Sequence, residues 1–86
     1  MKIARTERFK KSYRRLSPGD RELVKKALRL LMENPRHPGL RVKRIRGAAG
    51  IWEARVSRSC RMTFEIRGDT YLLRNVGKHD ETLKNP

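Results

Sequence analysis

Six residues in the second half of this chain carry side chains that together can hold and cleave a phosphodiester: Glu53, Arg55, Arg61, Arg74, Lys78 and His79. Guanidinium groups bind phosphate oxygens through charge-assisted hydrogen bonds. An imidazole, with an ordinary pKa of about 6.5, gives or takes a proton near neutral pH, and a carboxylate is a second base. Metal-independent cleavage of RNA needs these parts: a base for the 2′-hydroxyl, cations for the phosphorane, and an acid for the leaving 5′-oxygen. Cys60 is the one cysteine, so there is neither a disulfide framework nor a cysteine cluster for zinc. No metal constellation and no cofactor is expected.

Strand register is what would bring the six together. From Cys60 onward the residues alternate, with Cys60, Met62, Phe64 and Ile66 on one face and Arg61, Thr63, Glu65 and Arg67 on the other. Trp52, Ala54 and Val56 form the apolar set of the preceding strand. A three-residue loop, Ser57-Arg58-Ser59, pairs Val56 with Cys60, Ala54 with Met62 and Trp52 with Phe64. A two-residue loop would slip the register by one and scatter the pattern. The favoured register sets Arg55 directly across from Arg61, and Glu53 across from Thr63. Like charges facing one another destabilise a sheet, so an anion is expected between the arginines. A tight turn at Gly68-Asp69 then pairs Arg67 with Thr70, Thr63 with Arg74 and Arg61 with Val76. The segment Gly77-Lys78-His79-Asp80 would leave the sheet beside Arg61. One exposed face is therefore expected to gather Arg55, Arg61, Arg74, Lys78 and His79, with Glu53 close by. Taken singly, each is more simply a solvated surface base; their convergence from several strands is what singles them out.

The elements that must position this face can be read from the periods. Lys2 to Arg5 is a short first strand. Thr6 caps a helix whose stripe is Phe9, Tyr13 and Leu16, and Ser17-Pro18 starts a second, with Asp20 three residues after its cap. Leu23, Ala27, Leu30 and Leu31 line that helix, with Val24 and Leu28 beside them, and Asn34-Pro35 ends it. After Pro38-Gly39 the period becomes two. Leu40 to Arg46 reads as an imperfect basic strand, contributing Lys43, Arg44 and Arg46 as further phosphate contacts. Gly47 to Gly50 is a loop, followed by strands Ile51–Ser57, Cys60–Arg67 and Thr70–Val76 and a polar tail. The order βααββββ is an α+β fold, with a helical hairpin packed on one face of a mostly antiparallel sheet.

Charge and length bound the rest. Lys plus Arg number 23 against 9 Asp plus Glu, a formal +14 on 86 residues. That excess implies a polyanionic partner, nucleic acid or an acidic protein. The chain is long enough for one core, so residues 1–86 form a single domain. No apolar run approaches a membrane span and the N-terminus lacks a signal-peptide stretch, so no membrane partner and a cytoplasmic location are expected.

The run Gly50-Ile51-Trp52-Glu53-Ala54-Arg55-Val56-Ser57-Arg58-Ser59-Cys60-Arg61-Met62-Thr63-Phe64-Glu65-Ile66, followed by Asn75-Val76-Gly77-Lys78-His79-Asp80-Glu81, resembles the RelE/ParE toxin superfamily. The resemblance spans essentially the whole chain and implies a microbial-ribonuclease-like fold. It implies a ribosome-dependent mRNA endonuclease, acting in the ribosomal A site and inhibiting translation, and an acidic antitoxin partner. Arg61 falls at the family's phosphate-holding strand arginine, Arg55 at a second found in some members, and His79 where members carry a general acid. Members that keep strand lysines differ at Trp52 and Ala54, and the C-terminal aromatic of many members is Leu83 here. Two other classes stay open: a gyrase-inhibiting toxin of the same fold, which would need neither His79 nor Arg61, and a non-catalytic nucleic-acid-binding module.

Overall fold

The computed structural model describes all 86 residues. Its elements are β1 (Lys2–Arg5), α1 (Glu7–Arg15), α2 (Pro18–Glu33), a 3-10 turn at Pro38–Leu40, β2 (Lys43–Arg44), β3 (Trp52–Arg55), β4 (Cys60–Arg67), β5 (Thr70–Lys78) and α3 (His79–Lys84). Both N-terminal helices begin at the expected caps. The Thr6 side chain accepts from the Phe9 amide and the Ser17 side chain from the Asp20 amide, satisfying donors that a helix start leaves free.

Five strands form one sheet in the order β1-β5-β4-β3-β2, antiparallel except for the β1–β5 pair. Apolar residues of α1 and α2 cover one face: Phe9, Val24, Ala27 and Leu31 meet Ala54, Met62, Phe64, Leu73 and Val76. Phe64 lies at the centre, wholly buried, with the Tyr71 ring edge-on at 5.5 Å between centroids. Burying each such side chain contributes about 1.5–3 kcal/mol, which is how 86 residues with this charge hold together.

The β3–β4 register is the expected one: Trp52 faces Phe64, Ala54 faces Met62 and Arg55 faces Arg61. Four expectations need correction. The buried line of α2 is Val24, Ala27 and Leu31, whereas Leu23 is 38% exposed, because the sheet meets the helix one residue further round. The basic strand shrinks to Lys43–Arg44, since Pro38–Leu40 makes a 3-10 turn that buries Leu40 and Arg41 takes a left-handed φ of 46°. A β-bulge at Arg74 shifts the β4–β5 register between Thr63 and Phe64, so Thr63 pairs with Asn75 and Arg61 with Gly77, not with Arg74 and Val76. The bulge turns Val76 to the core opposite Met62; an unbroken register would have left it on the polar face. Finally, β5 runs on to Lys78, and the polar tail is a short helix, α3, that returns over the sheet's second face. No helix is long and apolar enough to cross a membrane.

Candidate nucleic-acid site

The two arginines sit where β3 gives way to β4. The amides of Val56 and Ser57 both donate to the Cys60 carbonyl, at 3.0 and 3.2 Å, closing the Ser57–Ser59 bend. Arg61 Nη1 donates to the carbonyl oxygens of Ser57 at 2.6 Å and Cys60 at 3.0 Å, and Arg55 Nε reaches the same Ser57 oxygen at 3.4 Å. Two like charges are thus held together by one carbonyl dipole, with both guanidinium groups still partly exposed and retaining unused N–H donors. Ser57 was not foreseen, because a backbone acceptor has no signature in side-chain pattern.

The rest of the expected cluster separates into distinct surroundings. Arg74 is not free for phosphate. Its guanidinium binds Glu65, and its Nε donates to the Pro86 carbonyl oxygen at 3.0 Å. Arg67 holds the other Glu65 oxygen at 2.9 Å, and these two partners, Arg74 first, hold the Glu65 carboxyl below the usual range. Glu53 is 6% exposed and stands between Lys43 and Thr63 in register. Lys43, Arg44 and Arg46 remain exposed at the opposite edge of the sheet, with the Arg44 guanidinium stacked 5.0 Å from the Trp52 ring centroid.

α3 accounts for the position of His79. The His79 amide donates to the Ser59 carbonyl at 2.8 Å, which docks the start of α3 on the β3–β4 bend. Its imidazole Nδ1 lies 2.9 Å from an Asp80 carboxylate oxygen, and this hydrogen bond lowers the Asp80 pKa. The cavity His79 lines, of about 510 Å³, includes Arg15, Asp20, Ser59, Lys78 and Asp80, and neither Arg55 nor Arg61. The structure therefore brings His79 to the same bend as the arginines but into a neighbouring cleft. Asp80 next to His79 in the chain is the signal of this pair in the sequence. Behind this cleft Cys60 is buried, its thiol pKa pushed up to about 11, chiefly by desolvation and then by nearby Asp20.

α3 then closes the polar face that was expected to stand open. Thr82 is buried against Gly77, the Asn75 amide donates to the Asn85 carbonyl at 3.0 Å, and the Thr63 hydroxyl to the Pro86 carbonyl at 3.4 Å. The Ser57–Ser59 end of the sheet stays accessible.

No family sequence model matches the chain, and no curated sequence does. Its backbone is similar to several solved structures. A YoeB/ParE toxin from Agrobacterium tumefaciens matches with a TM-score of 0.77 at 19% identity, over 92% of this chain and 99% of the toxin. YafQ from Escherichia coli matches at 0.79 and 15% identity, over 92% and 93% of the two chains. A chain of the RelB–RelE antitoxin–toxin complex from Methanococcus jannaschii matches at 0.75 and 19% identity, over 96% and 99%. The protein shares the fold of these toxins.

Proposed function

We propose that this chain is the toxin of a type II toxin–antitoxin pair and acts as an endoribonuclease on mRNA in the ribosomal A site, inhibiting translation. The observation that carries this reading is the facing pair Arg55 and Arg61, whose charges meet over a single carbonyl at an accessible sheet end. A phosphate there would accept the unused N–H donors and relieve the repulsion between the guanidinium groups. The fold shared with toxins, one solved with its antitoxin, supports the class.

The chemistry follows from the groups available. The RNA 2′-oxygen attacks phosphorus, its proton leaves to a base, the bond to the 5′-oxygen breaks, and an acid protonates that oxygen, leaving a 2′,3′-cyclic phosphate. Arg61 and Arg55 stabilise the charge that builds on the phosphorane. With Asp80 ionised, Nδ1 of His79 keeps the proton it donates to that carboxylate, so Nε2 is the nitrogen that exchanges protons with RNA. Near-complete burial of Glu53 disfavours it as base, so His79, at the same bend as the arginines, takes one of the two proton transfers and water the other. Lys78 and the exposed strip Lys43, Arg44 and Arg46 add attraction for the backbone.

The test is expression of Arg61→Ala and His79→Ala, with growth and mRNA 5′-end mapping as readouts. Each should abolish growth arrest and codon-spaced cleavage while the protein still folds. Full toxicity of the His79 variant, together with inhibition of gyrase supercoiling by the purified chain, would overturn this reading in favour of a gyrase-directed toxin.

A further inference from the structure

α1 has a second face that the core does not use. Phe9, Tyr13 and Leu16 point inward, so Arg8, Lys11, Ser12 and Arg15, at i, i+3, i+4 and i+7, form a stripe on the other side. With Asn75 and Lys78 of β5 and the edge of α3 they line a groove of about 560 Å³. Its floor is polar and fixed: the Ser12 hydroxyl donates to Asn75 Oδ1 at 2.8 Å, and Asn75 in turn donates to the Asn85 carbonyl.

The four cations of this groove take part in no salt bridge, although neighbouring Lys10 is held by Glu7 and Lys25 by Glu22. Like charges three and four residues apart weaken a helix, and with Glu81 of α3 the one carboxylate lining the groove its net charge stays positive, which favours an anion from outside. Arg8 and Arg15 are about 10 Å apart along the helix axis, at about 1.5 Å per residue. A run of backbone phosphates matches that spread; a single carboxylate does not. The lining is almost wholly polar, Leu16 and Val76 apart, and lacks the apolar pockets that anchor a protein segment. The groove is also continuous with the His79 cleft, since Arg15, Leu16, Gly77 and Lys78 line both.

We propose that the α1 stripe and Lys78 form a second binding surface for the phosphodiester backbone of single-stranded RNA, leading the strand toward His79. It rests on the reading that this chain acts on RNA, but not on cleavage.

The test uses the full chain and a fluorescein-labelled, 2′-O-methylated RNA oligonucleotide, which has no attacking hydroxyl, with anisotropy recorded across a salt series. Each phosphate contact contributes about 0.7 to the slope of log affinity against log salt for a single strand. The triple variant Arg8→Gln, Lys11→Gln, Arg15→Gln should therefore lower the slope by about 2 and weaken low-salt binding at least tenfold. A charge-matched control, Arg5→Gln, Arg29→Gln, Arg36→Gln, should leave the slope within about 0.5 of the parent. If the triple variant melts early, Lys11→Gln alone carries the test, with an expected drop of about 0.7. Equal losses in both triples, or no loss in the α1 triple, would overturn the proposal. So would loss of polyglutamate binding with RNA binding unchanged, which would mark the groove as a surface for an acidic protein. A chain that binds this RNA through the groove yet cleaves no RNA would refute the nuclease and leave the groove standing.

Discussion

Arg55 and Arg61 face one another across β3 and β4 and converge on one acceptor, the Ser57 carbonyl, at 3.4 and 2.6 Å. A sheet ordinarily avoids like charges in directly opposed positions. Here the bend between the strands turns a backbone dipole onto both, which offsets their repulsion and fixes the geometry of the loop itself.

Arg61 therefore has a structural share beside the chemical role proposed for it. Arg61→Ala should cost about 1 kcal/mol of stability, from hydrogen bonds to the bend at a partly exposed site. Arg61→Lys should keep the charge but not the activity, because an ammonium that bonds the Ser57 and Cys60 carbonyls has at most one N–H left for a phosphate, whereas the guanidinium keeps its Nε and Nη2 donors. Chemical denaturation and growth arrest, measured on both variants, check this. Full toxicity of the lysine variant would mean that charge alone suffices.

Glu65 should act as an acid-sensitive clasp on the C-terminal segment. Its folded pKa is below its ordinary 4.5, so the stability it contributes is present above that value and lost as pH falls through the lower folded one. Protonation releases Arg74, which also holds the Pro86 carbonyl. Protection of the α3 amides, relative to the intrinsic exchange rate at each pH, should fall in that acid window, and Glu65→Gln should show the same loss of protection at pH 7. Identical exchange in parent and variant would mean that α3 is held by Thr82 and Asn85 alone.

A side chain at Gly77 should crowd Thr82, which stands over it. A Cβ there would lie 3.1 Å from the Thr82 hydroxyl oxygen. Gly77→Ala is expected to cost about 1–2 kcal/mol by overpacking, and pairing it with Thr82→Ala should recover part of that loss. Thermal melting of the two single variants and the double variant gives the coupling. Strict additivity would show that α3 does not rest on this contact.

Cys60 should be inert in the folded protein. With the thiol 3% exposed and its pKa near 11, native alkylation at pH 8 should lag that of the unfolded chain by at least about tenfold. Mass spectrometry after iodoacetamide treatment measures this. Because the folded thiol keeps its proton longer than the unfolded one, stability should also decline as pH rises from 9 toward 11.

Local period and capping were legible in the residues alone. Thr6 and Ser17 start their helices because their side chains satisfy free amides nearby in the chain. The alternation from Cys60 to Arg67 set the β3–β4 register, since any slip would expose Phe64 and Met62, and with it came the facing of Arg55 and Arg61. Tertiary structure decided what no local pattern encodes. The bulge at Arg74 places Val76 in the core, and Arg74 pairs with Glu65 rather than facing Thr63. α3 forms from a polar stretch without an apolar stripe; long-range hydrogen bonds to Asn75, Thr63 and Ser59 hold it, so it closed a face that strand alternation had left open. For the same reason His79 came to the right bend but a different cleft: register fixes where a strand ends, while packing fixes where the chain goes next.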